Sequence, residues 1–338
     1  MGEEGRLKVV VRVRPYTADD ALLARVQQGS DCDQACVHVS QLPSEQESPS
    51  QSSCSRLLRV EVAPQSFRDF SFEDILDESA GQEDVYERSC QDIVESFTRD
   101  GKDGCVLCYG QSGSGKTFTM FGDRDRDRDR DRDRDNLSSS PETASSCFGL
   151  VQHSLLDICN FVESCWEIEV KANVYFSYYE IDLDGITDLL ANENYVPFRQ
   201  PLDESTSNPT VVELSGGGAN VEGLVRVPVN DLKAGLRLVQ RMKQMRVSKN
   251  KLSNRSHGII KITLDRTAMV LSGHVQEPMV KSNVLTFFDL ACSDIFPNER
   301  QDTIRIKNHQ YMDRSIFSLN NCIKKTSRSC RRNEDPVR

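Results

Sequence analysis

Gly104-Cys105-Val106-Leu107-Cys108-Tyr109-Gly110-Gln111-Ser112-Gly113-Ser114-Gly115-Lys116-Thr117-Phe118-Thr119-Met120 is the stretch whose reading decides the fold. Its centre, Gly110 to Thr117, has the form G-x-x-x-x-G-K-[ST], a phosphate-binding loop. Gly104 to Tyr109 is apolar and reads as a buried strand, and Phe118-Thr119-Met120 can continue as a helix. A strand–loop–helix setting is what this motif requires. Gly110, Gln111, Ser112, Gly113, Ser114 and Gly115 form the cradle, in which glycines let backbone N–H groups curl around phosphates. Lys116 is placed to reach the β- and γ-phosphates of a nucleotide, and the Thr117 hydroxyl to sit on Mg²⁺.

Composition bounds what else the chain does. It has 338 residues, 42 Lys plus Arg against 52 Asp plus Glu, and a net charge of −10. That balance argues against general nucleic-acid affinity. No apolar run approaches membrane-span length, and Met1-Gly2-Glu3-Glu4-Gly5-Arg6 does not read as a signal peptide, so the expected place is the cytoplasm. The 12 cysteines are scattered and read as small buried hydrophobes. Cys105 and Cys108 form a C-x-x-C, but on a strand they face opposite sides, which suits neither zinc nor a redox pair.

Outward from the loop, Lys8 to Val13 reads as a first strand, and Cys36 to Ser40 and Leu57 to Val62 as two more. Residues 41–55 between them are rich in Ser, Gln, Pro and Glu and read as a loop. Asp84 to Thr98 has helical spacing, with Gly101 to stop it. Residues 123–146 begin with an Arg-Asp alternation whose i,i+4 pairs are like charges, so a solvated insert is expected. Leu150 to Phe161 reads as a helix, Ile168 to Ile181 as one strand or a strand pair, and Asp188 to Asn208 as a loop. Asp231 is a plausible N-cap for a helix through Arg246. His257 to Asp265 and Ser282 to Asp289 read as strands, and Tyr311 to Lys324 as a helix. The alternation predicts a three-layer α/β phosphate-loop domain with a mostly parallel, or mixed, central sheet flanked by helices.

A phosphate loop alone does not choose among kinases, pumps and switches. Two segments narrow the choice. Asn250-Lys251-Leu252-Ser253-Asn254-Arg255-Ser256-His257 is polar and runs into a strand. Asp289-Leu290-Ala291-Cys292-Ser293-Asp294 follows the apolar strand Val284 to Phe288. An aspartate at that strand end can hold a water on Mg²⁺. Sites in open α/β sheets gather at the carboxyl ends of strands, so both segments are expected at the nucleotide.

Together these residues resemble the kinesin motor domain. The resemblance rests on Arg12-Val13-Arg14-Pro15, on Tyr109-Gly110-Gln111 with the phosphate loop, and on the Asn-x-x-Ser-Asn-Arg-Ser-His and Asp-Leu-Ala-Cys-Ser-Asp segments. Phe72-Glu73-Asp74-Ile75, Tyr178-Tyr179-Glu180-Ile181, Thr187-Asp188-Leu189-Leu190, and Arg314-Ser315-Ile316 with Leu319-Asn320-Asn321-Cys322-Ile323 extend it in order, over residues 7–338. The resemblance implies an ATPase that binds ATP and Mg²⁺ and moves on microtubules, hence a cytoskeletal location. It implies that Arg12, Arg14 and Pro15 flank the adenine and that Ser253 and Arg255 belong to switch I. Asp289 would begin switch II, and Arg255 would pair with Asp294. It places the insert in a loop near the nucleotide. Lys324, Lys325, Arg328, Arg331 and Arg332 would form a basic cluster facing acidic tubulin.

Three residues depart from the family pattern. Cys292 stands where switch II has a glycine, which implies a weaker γ-phosphate contact. Asn254 replaces a serine, and Asp294 is one methylene shorter than the usual glutamate. The chain stops at Asp335-Pro336-Val337-Arg338, before further elements of the family, so an incomplete sheet and marginal stability are expected. No coiled-coil heptads are present, leaving oligomeric state unassigned. A degenerate nucleotide- or microtubule-binding relative, or an incomplete gene product, is the alternative. An unrelated phosphate-loop kinase would leave the two switch-like segments unexplained.

Overall fold

A computed structural model describes residues 7–15, 37–41, 56–63, 66–122, 147–166, 171–182, 185–191, 209–214, 218–249, 256–272, 275–291, 310 and 312–325. The chain divides into two compact units, Met1–Ser89 with Lys324–Arg338, and Cys90–Ile323.

The first unit begins with β1 (Val10–Arg12), a short strand. Then come β2 (Val37–Gln41), β3 (Arg56–Ala63) and β4 (Ser66–Phe72), an antiparallel three-stranded sheet. Arg59 on β3 and Asp69 on β4 sit directly opposite and pair through two hydrogen bonds, 2.8 and 2.7 Å. Both side chains are exposed, so the pair fixes register more than it adds stability. The strand β5 (Asp74–Leu76) runs parallel to β1, and α1 (Gln82–Ser89) closes the unit. Arg88 near the end of α1 holds Asp74 of β5 with both its Nε and Nη2.

The helix expected over 84–98 is interrupted. Cys90 leaves helical geometry at φ −130° and ψ −30°, and its buried Sγ lies 3.6 Å from Ser154 Oγ. The chain resumes as α2 (Gln91–Glu95) and a π-helical turn, Ser96–Asp100, which Gly101 ends at φ +65°. Local periodicity carried no sign of this break, because a tertiary contact of Cys90 accompanies it.

The second unit is built on a six-stranded sheet, in the order Val227–Val229, Lys171–Asp182, His257–Ser272, Val275–Asp289 and Gly104–Cys108, with Gly185–Asp188 also on Lys171–Asp182. Its strands are β6 (Gly104–Cys108), β7 (Lys171–Asp182), β8 (Gly185–Asp188), β11 (Val227–Val229), β12 (His257–Ser272) and β13 (Val275–Asp289). A separate hairpin joins β9 (Thr210–Leu214) to β10 (Gly218–Glu222). The helices of this unit are α3 (Lys116–Phe121), α4 (Leu150–Trp166), α5 (Leu232–Lys249) and residues 312–323 of α6, a helix whose last two residues, 324 and 325, are counted with the first unit.

The sheet is mixed, the second of the two expected forms, rather than mostly parallel. Within it, β13 with β6 is parallel, while β11–β7, β7–β8, β7–β12 and β12–β13 are antiparallel. The apolar runs that suggested parallel strands reflect burial on both faces. Phe176, Ser177, Tyr178, Tyr179 and Glu180 are buried in succession, which a strand with one wet face cannot show. Leu150, Val151, Leu155 and Ile158 of α4 pack inward with Leu238, Val239 and Met242 of α5. Met312 and Ile316 of α6 are buried too. Asp231 caps α5 as expected, its Oδ1 accepting the Ala234 N–H at 2.7 Å.

The β12–β13 hairpin extends well past the expected strands, to Ser272 and back from Val275. Beyond the core its ladder satisfies its own backbone, so the strands persist where side chains stop alternating. Met279 and Val280 there are each 59% exposed.

Candidate nucleotide-binding site

β6 and β13 run parallel, and Cys108 lies opposite Asp289 at their carboxyl ends. Both chains therefore leave the sheet at the same edge. From β6 the chain enters the phosphate loop, whose Gly113 and Gly115 adopt φ +75° and +94°. Side chains with a Cβ rarely adopt this left-handed region, so the two glycines set the curl of the loop. The Ser114 N–H donates to Gln111 O at 3.2 Å, and the Thr119 N–H to Gly115 O at 2.8 Å.

Lys116 Nζ donates to Gly110 O at 2.8 Å and to Gln111 O at 2.9 Å. The cation is tethered to the loop it must serve, so loop shape and charge are set together. Thr117 Oγ1 donates to Asp289 Oδ2 at 2.8 Å. Asp289 is only 4% exposed. A hydroxyl and a buried carboxylate at this spacing form an all-oxygen pair, the donor type that Mg²⁺ prefers. Among the described residues there is no group of three or more His, Cys, Asp or Glu that could cage a metal. The pair fits an ion that keeps waters and takes its other ligands from phosphate.

Behind the loop, α3 and α4 meet end to end. A Cβ on Gly122 would lie 1.9 Å from Cys147 O, and one on Gly149 would lie 2.4 Å from Met120 O. Gln152, buried at 7% exposure, stitches the junction. Its Nε2 donates to Phe121 O at 2.8 Å, and its Oε1 accepts the Gly149 N–H at 3.1 Å. One amide thus serves the last carbonyl of α3 and the N–H just before α4. Residues 123–146 leave and re-enter the chain at this point and lie outside the described residues.

The structure brings Thr117 and Asp289 together, with Lys116 beside Thr117 in the chain and bonded to the loop. Arg12, Arg14 and Pro15 belong to the first unit, where Arg12 Nη1 donates to Gln82 Oε1 at 2.7 Å and Arg14 and Pro15 are exposed. Ser253, Asn254, Arg255, Cys292 and Asp294 lie outside the described residues, as do Arg328, Arg331 and Arg332. So do residues 42–55 of the expected loop and 192–208 of the one expected to end at Asn208. Lys324 and Lys325 are exposed on α6, and Phe317 on the same helix is 66% exposed. Gln152 escaped the sequence reading because its partners, Phe121 and Gly149, flank an insert that hides their proximity.

Among the described residues no helix is long and apolar enough to cross a membrane. The fold and the loop–carboxylate pair define the class: a phosphate-loop nucleotide-binding α/β protein. The chain belongs to the kinesin motor domain family, whose profile matches residues 12–336. It is 25% identical over 324 residues to kinesin-like protein KIN-5B of Oryza sativa subsp. japonica, covering 95% of this chain and 27% of that protein. It is 29% identical over 261 residues to kinesin-like protein KIN-14D of Arabidopsis thaliana, covering 75% of this chain and 30% of the relative. The chain thus spans under a third of the length of either. Among solved structures, a fast kinesin matches with TM-score 0.62 and 24% identity, over 89% of this chain and 71% of that one. The motor domain of Kar3 from Candida glabrata matches with TM-score 0.63 and 18% identity, over 94% and 80%. Both support the fold.

Proposed function

We propose that this chain is the ATP-hydrolysing, microtubule-binding core of a kinesin-like motor, working at the microtubule cytoskeleton. The observation that carries the reading is the 2.8 Å bond between Thr117 and Asp289, which joins the phosphate loop to the acid of the second switch-like segment. Mg²⁺, when bound, would draw negative charge from the terminal phosphates. Thr117 and Asp289 orient its shell, and Lys116 offsets charge on the transferring phosphoryl group. Arg12, Arg14 and Pro15 flank the adenine, Ser253 orients the attacking water, and the pair Arg255–Asp294 closes the site. Lys324 and Lys325, with Arg328, Arg331 and Arg332, face the acidic tubulin surface. Residues 7–338 form one motor-like domain, and 123–146 an insert within it.

Steady-state ATP hydrolysis with and without polymerised tubulin, beside Lys116→Ala, tests the reading. The expected result is stimulated turnover that falls by roughly 100-fold or more in the variant. Nucleotide binding with no turnover in either condition would instead identify the degenerate binder that Cys292 suggests.

A further inference from the structure

Three residues distant in sequence form a continuous polar link behind the nucleotide site. His257 opens β12 and is 7% exposed. Its neighbour Gly258 lies directly opposite Asp289 in the β12–β13 ladder. The N–H of Ala291, two residues beyond Asp289, donates to His257 Nδ1 at 3.1 Å. Nδ1 is therefore the acceptor nitrogen, and a neutral ring carries its proton on Nε2. That Nε2 lies 2.8 Å from Ser315 Oγ on α6. The Ser315 hydroxyl donates to Met312 O at 2.7 Å, which leaves its lone pairs to accept from Nε2. Every direction is thus set: Ala291 N–H to His257, His257 to Ser315, Ser315 to Met312.

A buried imidazole is an expensive way to fill space, since an aliphatic side chain has no polar atoms to satisfy. The ring does what an aliphatic cannot, gripping the backbone just after the metal-site acid on one side and a helix on the other. Apolar contacts slide, whereas a ring with both nitrogens engaged transmits a displacement in a fixed direction. We propose that His257 is a positioning residue that couples movement of the Asp289–Ala291 segment to α6 through Ser315. The inference rests on the nucleotide-site reading above, because it is bound nucleotide that would move this segment.

Amide hydrogen exchange on the full 338-residue chain tests it in two arms. Without nucleotide, Ser315→Ala should raise exchange of the Ala291 amide on the order of five- to tenfold, transmitted through His257, while Ser315→Thr restores it. With Mg·ADP added, wild type should change protection across residues 312–323. His257→Ala, Ser315→Ala and the double variant should each lose that response to the same extent, compared at Mg·ADP concentrations that saturate each variant. An Ala291 amide indifferent to Ser315→Ala would overturn the link. A nucleotide response surviving in His257→Ala would overturn the coupling. Absent ADP binding by wild type would reject the nucleotide reading, leaving the first arm to decide the link.

Discussion

Thr117 and Asp289 stand 172 residues apart in sequence and share a 2.8 Å hydrogen bond. One closes the phosphate loop, and the other ends the strand beside it. Parallel pairing of β6 with β13 brings them together, because only parallel strands end at the same edge. Asp289→Asn keeps the shape and removes the charge. We expect Mg²⁺-dependent affinity for fluorescent ADP to fall about tenfold or more, with little change when Mg²⁺ is chelated. Equal loss in both conditions would count against a metal role.

The α3–α4 junction leaves no room for a Cβ at Gly122, which also sits at φ +71°. Gly122→Ala should lower unfolding free energy by about 2–4 kcal/mol in denaturant titration. Gln152→Leu should cost about 1–3 kcal/mol, since it strands a buried carbonyl and a buried N–H. A stability unchanged by either variant would show that the junction does not hold the helices.

The same junction predicts that the Arg-Asp insert is dispensable to the fold. Replacing residues 123–146 by a few glycines should leave the thermal midpoint within a few degrees of wild type, because Gly122 and Cys147 already touch. A collapse of the midpoint would assign the insert a structural role.

Asp188 is buried and accepts N–H groups from Leu190 at 2.9 Å and Val225 at 2.7 Å. Burial raises its pKa above the usual 3.8, against those hydrogen bonds, which lower it. A raised folded value means the native state holds the proton more tightly than the unfolded chain. Its stabilising contribution is therefore full below 3.8 and lost as pH rises through the folded value. Asp188→Asn removes this dependence, so wild-type stability relative to the variant should decline over that window. A difference independent of pH would refute the assignment. At neutral pH the variant should still be weaker, because an amide nitrogen would face one of the backbone N–H donors around Asp188.

On α6, Phe317 is 66% exposed on the same helix as Lys324 and Lys325. Replacing both lysines by glutamate should weaken co-sedimentation with polymerised tubulin several-fold, most strongly at low salt. Phe317→Ala should weaken it with little salt dependence, as an apolar contact would. Unchanged co-sedimentation in both variants would move the partner surface elsewhere.

Sequence alone determined the phosphate loop, the acid at Asp289 and the helices α4, α5 and α6, because their signals are local. A glycine pattern, an N-cap and a 3.6-residue period need no partner to be read. The tertiary structure decided the pairing direction of the sheet, since both-face burial and parallel pairing leave the same apolar run. It decided the break at Cys90, the hairpin ladder reaching Ser272, and the hairpin of β9 and β10. It also gave Gln152 and His257 their hydrogen-bond partners. Both are single polar residues whose partners lie across the fold, and no spacing in one chain encodes a contact between segments that only packing brings together.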